Sequence, residues 1–318
     1  MKRKIFVDGV SGTTGLKIHE RLSLYNDIEI LSIDYDKRRD PKERSKYMNE
    51  ADLVFLCLPD DAAREAVTLI DNPATKVIDA SSAHRTADGW TYGLPELSKK
   101  HKEAIKSSKR VTNPGCHASA FILSIYPLVS KGIMPEDFVV TAHSLTGYSG
   151  GGKKMIDNYM KEDDNPYTDG PRPYGLSLNH KHLPEMRLHG GLSVEPVFVP
   201  VISNVEQGLA VTIPLYTKHL SKQLKGHEIH EEIKKHYSGE KFVKVMPYQD
   251  ESSLLDGGLP ITACNNTNRA EIFVYGNDNK NSVLIITRLD NLGKGASGAA
   301  IQNMNIMLGF EEDLHLKQ

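Results

Sequence analysis

Residues 4–15, KIFVDGVSGTTG, combine a short apolar segment with three evenly spaced glycines, Gly9, Gly12 and Gly15. The apolar residues at 4–8 predict a buried strand, and the residues after the last glycine predict a helix. Glycines between a strand and a helix let the backbone approach a pyrophosphate at the helix N-terminus. The spacing G-x-x-G-x-x-G differs from the usual dinucleotide fingerprint, so a plain tight turn stays open as an alternative.

The next predicted strand, IEILSID at residues 28–34, is followed by charged residues of both signs. An acidic residue here, such as Asp34 or Asp36, would hold the ribose 2′-hydroxyl of NAD. Basic residues, such as Lys37 and Arg38, suit the 2′-phosphate of NADP instead. The basic turn favours NADP(H) as cofactor, with NAD and a merely solvated turn left open.

Two patterns of strands divide the chain. Continuous apolar strands at 52–58 and 76–80 alternate with predicted helices, which is typical of a parallel sheet covered on both faces. After residue 116, several strand-like segments alternate apolar and polar residues, as in a half-exposed antiparallel sheet; they are 138–144, 193–202, 209–216, 270–277 and 282–290.

The fold class is therefore α/β, with a Rossmann-like parallel-sheet domain plus an α+β catalytic domain that has a largely antiparallel sheet. We expect a dinucleotide-binding domain at 1–115, completed by a C-terminal helix in 295–318, and a catalytic, substrate and oligomerisation domain at 116–294. The last helix, with its small and apolar face, is expected to pack on the first domain.

Composition excludes several classes of function. The 318 residues are 39% apolar, enough for a sizeable core, and the net charge of −2 gives no reason to expect nucleic-acid binding. No apolar stretch approaches the roughly 18 residues of a membrane helix. Three scattered cysteines form neither a metal-binding spacing nor a disulfide framework. We expect a cytoplasmic protein with no metal site and no membrane contact.

The stretch NPGCHASAFIL at 113–123 carries the strongest chemical signal. Three turn formers precede Cys116, and a small, apolar segment typical of a buried helix follows it. A thiol at a helix N-terminus meets the positive end of the helix dipole, which lowers its pKa and makes it a nucleophile. A small buried core cysteine is the alternative.

Six motifs in order resemble those of N-acetyl-gamma-glutamyl-phosphate reductases, in particular the short members of that family within the semialdehyde dehydrogenase superfamily. They are GVSGTTG at 9–15, DASSAHR with YGLPEL at 79–97, NPGCHAS at 113–119, LTGYSGGGKK at 145–154, NHKHLPEM at 179–186 and DNLGKGASGAAIQNMNIMLG at 290–309. Two positions depart from the family pattern, since His84 and His117 stand where aromatic residues are usual.

The resemblance implies NADPH-dependent reduction of N-acetyl-gamma-glutamyl phosphate to N-acetylglutamate semialdehyde and phosphate, in arginine biosynthesis. A thiolate at Cys116 would attack the acyl carbon and expel phosphate, and hydride transfer to the thioester would give the aldehyde. His182 is the predicted acid/base, with His180 as the other candidate. If their segment is extended, both side chains point to the same side.

The resemblance also implies binding residues. Glu185 is expected to orient a histidine or bind the substrate amide. The predicted substrate-binding residues are Arg85, Thr146, Ser149, Gly150 and Glu185, with Lys153 as a weaker candidate for the phosphate. The predicted cofactor-binding residues are Gly9, Ser11, Gly12, Thr13, Thr14, Gly15, Lys37, Arg38, Asn291 and Gly295.

Three other functions remain possible from the sequence. They are an aspartate-semialdehyde dehydrogenase-like reductase of a related acyl phosphate, a non-catalytic NADP-binding sensor, and a cysteine hydrolase without a cofactor. The hydrolase leaves the glycine loop unexplained, and the sensor leaves the intact cysteine and histidine motifs unexplained. The expected partners are a small-molecule acyl phosphate and further copies of the chain, as a homodimer or homotetramer.

Overall fold

A computed structural model describes residues 2–161 and 165–318. The described chain forms two compact units. The first comprises the chain up to Pro114 together with Ala296–Leu316, and the second comprises Gly115–Gly295 and Lys317–Gln318.

The elements of the first unit alternate between strand and helix. Its strands are β1 Arg3–Asp8, β2 Ile28–Leu31, β3 Leu53–Leu56, β4 Lys76–Asp79, β5 Thr91–Tyr92 and β6 Arg110–Thr112. Its helices are α1 Thr13–Leu22, α2 Pro41–Glu50, α3 Asp60–Thr68 and α4 Lys99–Ser107, and α9 Gly298–Leu308 from the end of the chain.

The second unit mixes longer strands with helices. Its strands are β7 Thr141–Gly147, β8 Arg172–Pro173, β9 Val197–Ser203, β10 Leu209–Tyr216, β11 Val243–Val245, β12 Ala270–Asn277 and β13 Ser282–Leu289. Its helices are α5 Cys116–Ser130, α6 Lys153–Tyr159, α7 Leu183–Gly190 and α8 Gly226–His236.

The sheet of the first unit is parallel throughout, in the order β2-β1-β3-β4-β6-β5. All four residues of β3 are buried, which explains why its sequence is continuously apolar. The chain leaves β1 towards β2 and then returns to the opposite side at β3. Ligands of such folds bind at this change of direction, beyond the carboxyl ends of the strands, and the glycine loop follows β1 there.

Helix α9 packs against α1 and α4 of the first unit. Its polar side chains are buried and paired, since Tyr25 Oη donates to Asn305 Oδ1 at 2.7 Å and Gln302 Nε2 donates to Glu96 Oε1 at 2.8 Å. These pairs join residues more than 200 positions apart in the chain, so they fix the C-terminal helix to its partners specifically.

The second unit contains one mixed, largely antiparallel sheet in the order β11-β12-β13-β10-β7-β9-β8. Helices α5 and α8 pack on one face of this sheet, and α7 packs on α5. On the other face, most alternate residues of β7, β9 and β10 are exposed or half-buried. The predicted fold class is therefore confirmed, including the change from a parallel to a largely antiparallel sheet.

Helix α3 has no side-chain cap. It begins at Asp60, and Pro59 precedes it. The Asp60 carboxylate instead accepts hydrogen bonds from the amide and hydroxyl of Ser82, at 2.9 and 2.8 Å. This acidic side chain therefore orders the loop after β4 rather than the helix start.

Within the part of the chain that the structure describes, no helix is both long and apolar enough to cross a membrane.

Candidate active site

Cys116 is the first residue of α5, as the sequence predicts. Gly115 before it is extended, with φ −75° and ψ 146°, and no side chain caps the helix. Cys116 is half-buried, whereas the next nine residues of the helix are buried. The backbone N–H groups of a first helical turn have no partner within the helix, so they can stabilise negative charge at the thiol or at a bound oxygen.

Glu185 connects the cysteine turn to the histidine motif. The amide of Gly115 donates to Glu185 Oε2 at 3.1 Å, and Glu185 Oε1 lies 3.9 Å from His182 Nε2. Both side chains are buried, with exposed fractions of 1% and 6%. A buried carboxylate in this place stabilises the orientation of His182, which favours the orienting role predicted for Glu185 over direct binding of substrate.

The rings of His180 and His182 lie close together, but not because their segment is extended, as the sequence suggests. Their segment is not extended: His182 has φ −90° and ψ −8°, and it immediately precedes α7. The amide of His182 donates to Nδ1 of His180 at 3.2 Å, and the ring centroids are 4.7 Å apart. A local turn, rather than strand alternation, therefore brings both rings to the same place.

His117 occupies the centre of a cluster that the sequence argument does not identify. Its Nδ1 is 2.7 Å from Ser144 Oγ, and its Nε2 is 2.9 Å from Tyr174 Oη. The His117 ring also lies 5.6 Å from the ring of His180 and 5.5 Å from that of His182. His117 itself was the one sign of this cluster in the sequence, because a polar ring in an apolar helix requires hydrogen-bond partners.

Burial dominates the electrostatics of this cluster. It lowers the pKa of His117 to about 3, with further lowering by the charges of His180 and Lys181. His117 is therefore neutral at any physiological pH. Burial also raises the pKa of Tyr174, and the charge of Cys116 raises it further. Tyr174 is therefore a protonated hydroxyl within electrostatic reach of Cys116.

Gly295 lies directly against the cysteine. A Cβ built on Gly295 would be 2.6 Å from Cys116 Cβ, a distance that real Cβ atoms essentially never show. Any larger residue at this position would clash with the Cys116 side chain, so close contact with Cys116 requires the glycine. The predicted cofactor role of Gly295 stays a prediction.

Asn291 connects two loops of the second unit. Its Oδ1 accepts from the amide of Gly208 at 2.9 Å, and its Nδ2 donates to Ser149 Oγ at 2.9 Å. Ser149 and Thr146 are buried, each with an exposed fraction of 2%. The hydrogen bond from Asn291 to Ser149 thus stabilises the loop that contains Gly150. Lys153, the weaker candidate for the phosphate, is exposed and pairs with Asp157 at 2.9 Å.

Arg85 belongs to the first unit and is buried. Its Nε donates to the carbonyl of Asn113 at 3.0 Å, and its Nη2 donates to that of Ala80 at 3.3 Å. These bonds connect the loop after β4 to the segment just before the cysteine turn. They favour a positioning role for Arg85, and its predicted contact with substrate phosphate stays a prediction.

The glycine loop of the first unit fits a dinucleotide. Gly9 has φ +88°, and a Cβ on it would be 2.3 Å from the carbonyl oxygen of Cys57. A Cβ on Gly15 would be 2.4 Å from the carbonyl oxygen of Gly9. Helix α1 then begins at Thr13 with no side-chain cap and no acidic residue in its first turn. The N–H groups of its first turn, which includes Thr13 and Thr14, suit a pyrophosphate. Ser11 precedes this turn in the glycine loop.

The basic turn after β2 is exposed. Lys37 Nζ lies 3.8 Å from Glu43 and 4.0 Å from Asp34, and both the Lys37 and Asp34 side chains are more than half exposed. The Arg38 guanidinium lies over the Tyr35 ring, 3.4 Å from its centroid. Two accessible cations after the second strand could hold the 2′-phosphate of NADP, and the cofactor role of Lys37 and Arg38 stays a prediction.

Comparison with known proteins identifies the family of the chain. Residues 30–107 match the NAD binding domain of semialdehyde dehydrogenases, and residues 116–291 match their dimerisation domain. The N-acetyl-gamma-glutamyl-phosphate reductase 2 of a Nostoc species is 49% identical over 320 residues, covering 99% of each chain.

Solved structures agree on the fold. The aspartate semialdehyde dehydrogenase of Francisella tularensis superposes with a TM-score of 0.73 at 16% identity, covering 96% of this chain and all of that one. The aspartate semialdehyde dehydrogenase of Candida albicans, solved with NADP, superposes with a TM-score of 0.67 at 14% identity, covering 97% and 99%.

The fold is thus that of semialdehyde dehydrogenases, and the two matched domains confirm the superfamily assigned from the motifs. Within it, the chain belongs to the family of N-acetyl-gamma-glutamyl-phosphate reductases.

Proposed function

We propose that this chain is an NADP-dependent oxidoreductase that reduces N-acetyl-gamma-glutamyl phosphate to N-acetylglutamate semialdehyde and phosphate, a step of arginine biosynthesis. Membership of the family across the full length of the chain supports the reaction. The observation that carries the chemistry is the thiol at the start of α5, connected through Glu185 to His182.

Cys116 is the proposed nucleophile. Its sulfur forms a bond to the acyl carbon, which gives a tetrahedral intermediate; the bond from that carbon to the phosphate oxygen then breaks, and phosphate leaves with the electron pair. N–H groups of the first turn of α5 stabilise the oxyanion of the tetrahedral intermediate. Bound NADPH supplies the hydride that reduces the thioester. The C–S bond then breaks, the aldehyde forms and the thiolate returns.

His182 is the proposed acid/base, and Glu185 orients it. Hydride addition leaves negative charge on the former carbonyl oxygen, and His182 donates a proton to it to give the hemithioacetal. His182 takes this proton back when the C–S bond breaks. His180 remains the second candidate, because its ring is 4.7 Å from that of His182. We further propose that Thr146, Ser149 and Gly150 line the substrate site and that Arg85 binds the substrate phosphate.

The reaction is tested most directly in reverse. Protein, NADP and N-acetylglutamate semialdehyde are mixed with and without inorganic phosphate, and absorbance of the reduced nicotinamide is followed. Phosphate-dependent NADP reduction is expected. If only aspartate semialdehyde reacts, the chemistry stands and the substrate is wrong. If no aldehyde reacts although NADP binds, a sensor function replaces the enzymatic one.

The cofactor preference is expected to depend on the basic turn. Changing Lys37 and Arg38 together to serine should raise the KM for NADPH about tenfold or more and leave the KM for NADH nearly unchanged, because two cations facing a phosphate are lost. Steady-state kinetics with both cofactors measures this. Lys106→Ser, an exposed cation on α4, is the matched control. Equal changes for NADPH and NADH would contradict the assignment.

We also propose that the enzyme is a homodimer or homotetramer that pairs through the open face of the second sheet, in the cytoplasm, where the Cys116 thiol stays reduced. The matched dimerisation domain covers that sheet. Leu145 and Val197 on this face are each 42% exposed, and Tyr216 is 56% exposed. Several exposed apolar side chains on one face of a sheet favour an interaction surface.

Leu145→Glu should therefore raise the dissociation constant of the oligomer on the order of 100-fold, because a charge would be buried without a partner. Sedimentation velocity over a range of protein concentrations measures the change. Leu255→Glu, which alters a leucine that is 71% exposed outside the sheet, is the control. If Leu145→Glu sediments as the parent protein does, this face is not the interface.

A further inference from the structure

The substrate of the proposed reaction carries two anionic groups, a phosphate and an α-carboxylate, and Arg85 accounts for only the first of them. Arginine is well suited to hold a carboxylate, because its planar guanidinium donates hydrogen bonds in a fixed geometry. Such a substrate therefore requires a second cation on the active-site face of the second sheet, one that no carboxylate of the protein already neutralises.

Tyr174 lies on the active-site face of the second sheet. Its hydroxyl is 2.9 Å from Nε2 of His117, the residue after the nucleophile, and Ser144 of β7 contacts the same ring at 2.7 Å. Arg172 begins β8, two residues before Tyr174. Pro173 between them is exposed, whereas both of its neighbours are half-buried. Since side chains two residues apart in an extended segment point to the same side, Arg172 lies on the face that contacts this ring.

The strand register places Arg172 in line with the proposed substrate site. Arg172 pairs with Ile202 of β9, and Ile202 pairs with Thr146 of β7, so the three residues form one row across the sheet. Thr146 is a proposed substrate-lining residue, and the loop that contains Gly150 follows it. The row of Arg172 and the row of Tyr174 are two residues of strand apart, about 7 Å.

Tyrosine side chains fix the position of the Arg172 guanidinium. Its Nη2 donates to Tyr159 Oη at 3.0 Å, and its central carbon lies 4.4 Å from the centre of the Tyr167 ring and 5.5 Å from that of the Tyr159 ring. The Tyr159 ring stacks on that of Tyr148, with centroids 4.4 Å apart, and Tyr148 immediately precedes Ser149 of the substrate loop. These rings stabilise the cation without neutralising its charge.

The Arg172 guanidinium retains donors that the protein does not use. Among residues 2–161 and 165–318, no carboxylate pairs with it, and its buried Nε has no hydrogen-bond partner. Two other arginines of the second unit, Arg269 and Arg288, both pair with Glu271, at 2.8 and 2.6 Å. A charged donor without an acceptor is costly, so an anion that binds here completes the arrangement.

We propose that Arg172 binds the α-carboxylate of the substrate. A guanidinium on the active-site face, held by aromatic rings and with N–H groups still unpaired, has the charge and the geometry for such a group. The role rests on the proposed reduction of N-acetyl-gamma-glutamyl phosphate. It makes Arg172 the residue that selects amino-acid semialdehydes over simple aldehydes, because a substrate without the carboxylate leaves the guanidinium uncompensated.

The reverse reaction tests this role with two aldehydes that differ only in the group concerned. They are N-acetylglutamate semialdehyde and 4-acetamidobutanal, which lacks the α-carboxylate. The parent enzyme should show a kcat/KM on the order of 100-fold higher for the first. Arg172→Met should lower that kcat/KM by a similar factor and leave the value for 4-acetamidobutanal within about threefold of the parent value. Lys244→Met, which removes an exposed cation of β11, is the matched control and should keep the preference.

Arg172→Lys should retain part of the preference, since it keeps the charge but loses the planar arrangement of donors. Thermal unfolding confirms that each variant is folded. Equal losses for both aldehydes in Arg172→Met would overturn the proposal, because a purely structural role in the tyrosine cluster predicts that pattern. A preference that Arg172→Met leaves unchanged, or a parent enzyme that uses both aldehydes equally well, would overturn it too. A parent enzyme that does not turn over N-acetylglutamate semialdehyde would instead overturn the proposed function, and this role with it.

Discussion

Cys116→Ser is expected to lower kcat by on the order of 10⁴-fold or more, because the thioester can no longer form at a useful rate. A serine hydroxyl at the start of α5 retains the helix geometry but is a far weaker nucleophile than a thiolate near neutral pH. The forward assay, NADPH oxidation with the acyl phosphate, measures the loss.

Cys264→Ser is the matched control for this prediction. Its thiol is fully buried, and burial raises its pKa to about 11. It should therefore retain activity within about twofold of the parent enzyme, since it contributes no thiolate. If Cys116→Ser also keeps most of its activity, the reaction does not pass through a cysteine thioester.

Gly295→Ala is expected to lower kcat by on the order of 100-fold, because the added methyl group must displace the nucleophile. The new Cβ would be 2.6 Å from Cys116 Cβ and 3.1 Å from the carbonyl oxygen of Asp290. A displacement of about 1 Å at a reacting atom is enough for a loss of this size. The same overpacking should lower the free energy of unfolding by about 1–3 kcal/mol, measured by urea denaturation.

Gly170→Ala tests whether any added methyl group has this effect. Among residues 2–161 and 165–318, no heavy atom lies within 4 Å of a Cβ built on Gly170. Its activity and stability should match those of the parent protein. Unchanged activity in Gly295→Ala, with a normal NADPH affinity, would show that Cys116 tolerates the displacement and that the reacting geometry differs from the one described here.

The fold was predictable because its signals are local. Continuous apolar strands such as β3 can only be buried on both faces, and alternation in β7 and β9 requires one exposed face. The start of α5 at Cys116 was likewise predictable, since the three turn formers before it end one element and the apolar residues after it form the next.

The site was predictable only in part, because its geometry depends on contacts across the second unit. Tyr174 is 57 residues from His117 in the sequence, so nothing local connects them. Position 295 requires a glycine because the Cys116 side chain, 179 positions earlier, lies against it. No periodicity in the sequence indicates this contact. His180 and His182 were identified by motif, but the turn that joins them was not.

The central claim is the covalent thioester on Cys116, and intact-protein mass spectrometry tests it most directly. The enzyme is mixed with N-acetyl-gamma-glutamyl phosphate without NADPH and quenched in acid. Its mass is then measured, and the modified residue is located by peptide mapping. The account predicts a gain of one N-acetylglutamyl group on the peptide that contains Cys116, lost on a chase with NADPH and absent in Cys116→Ser. Turnover of the same preparation with no acyl group on that peptide at any quench time, or an acyl group on another residue, would contradict it.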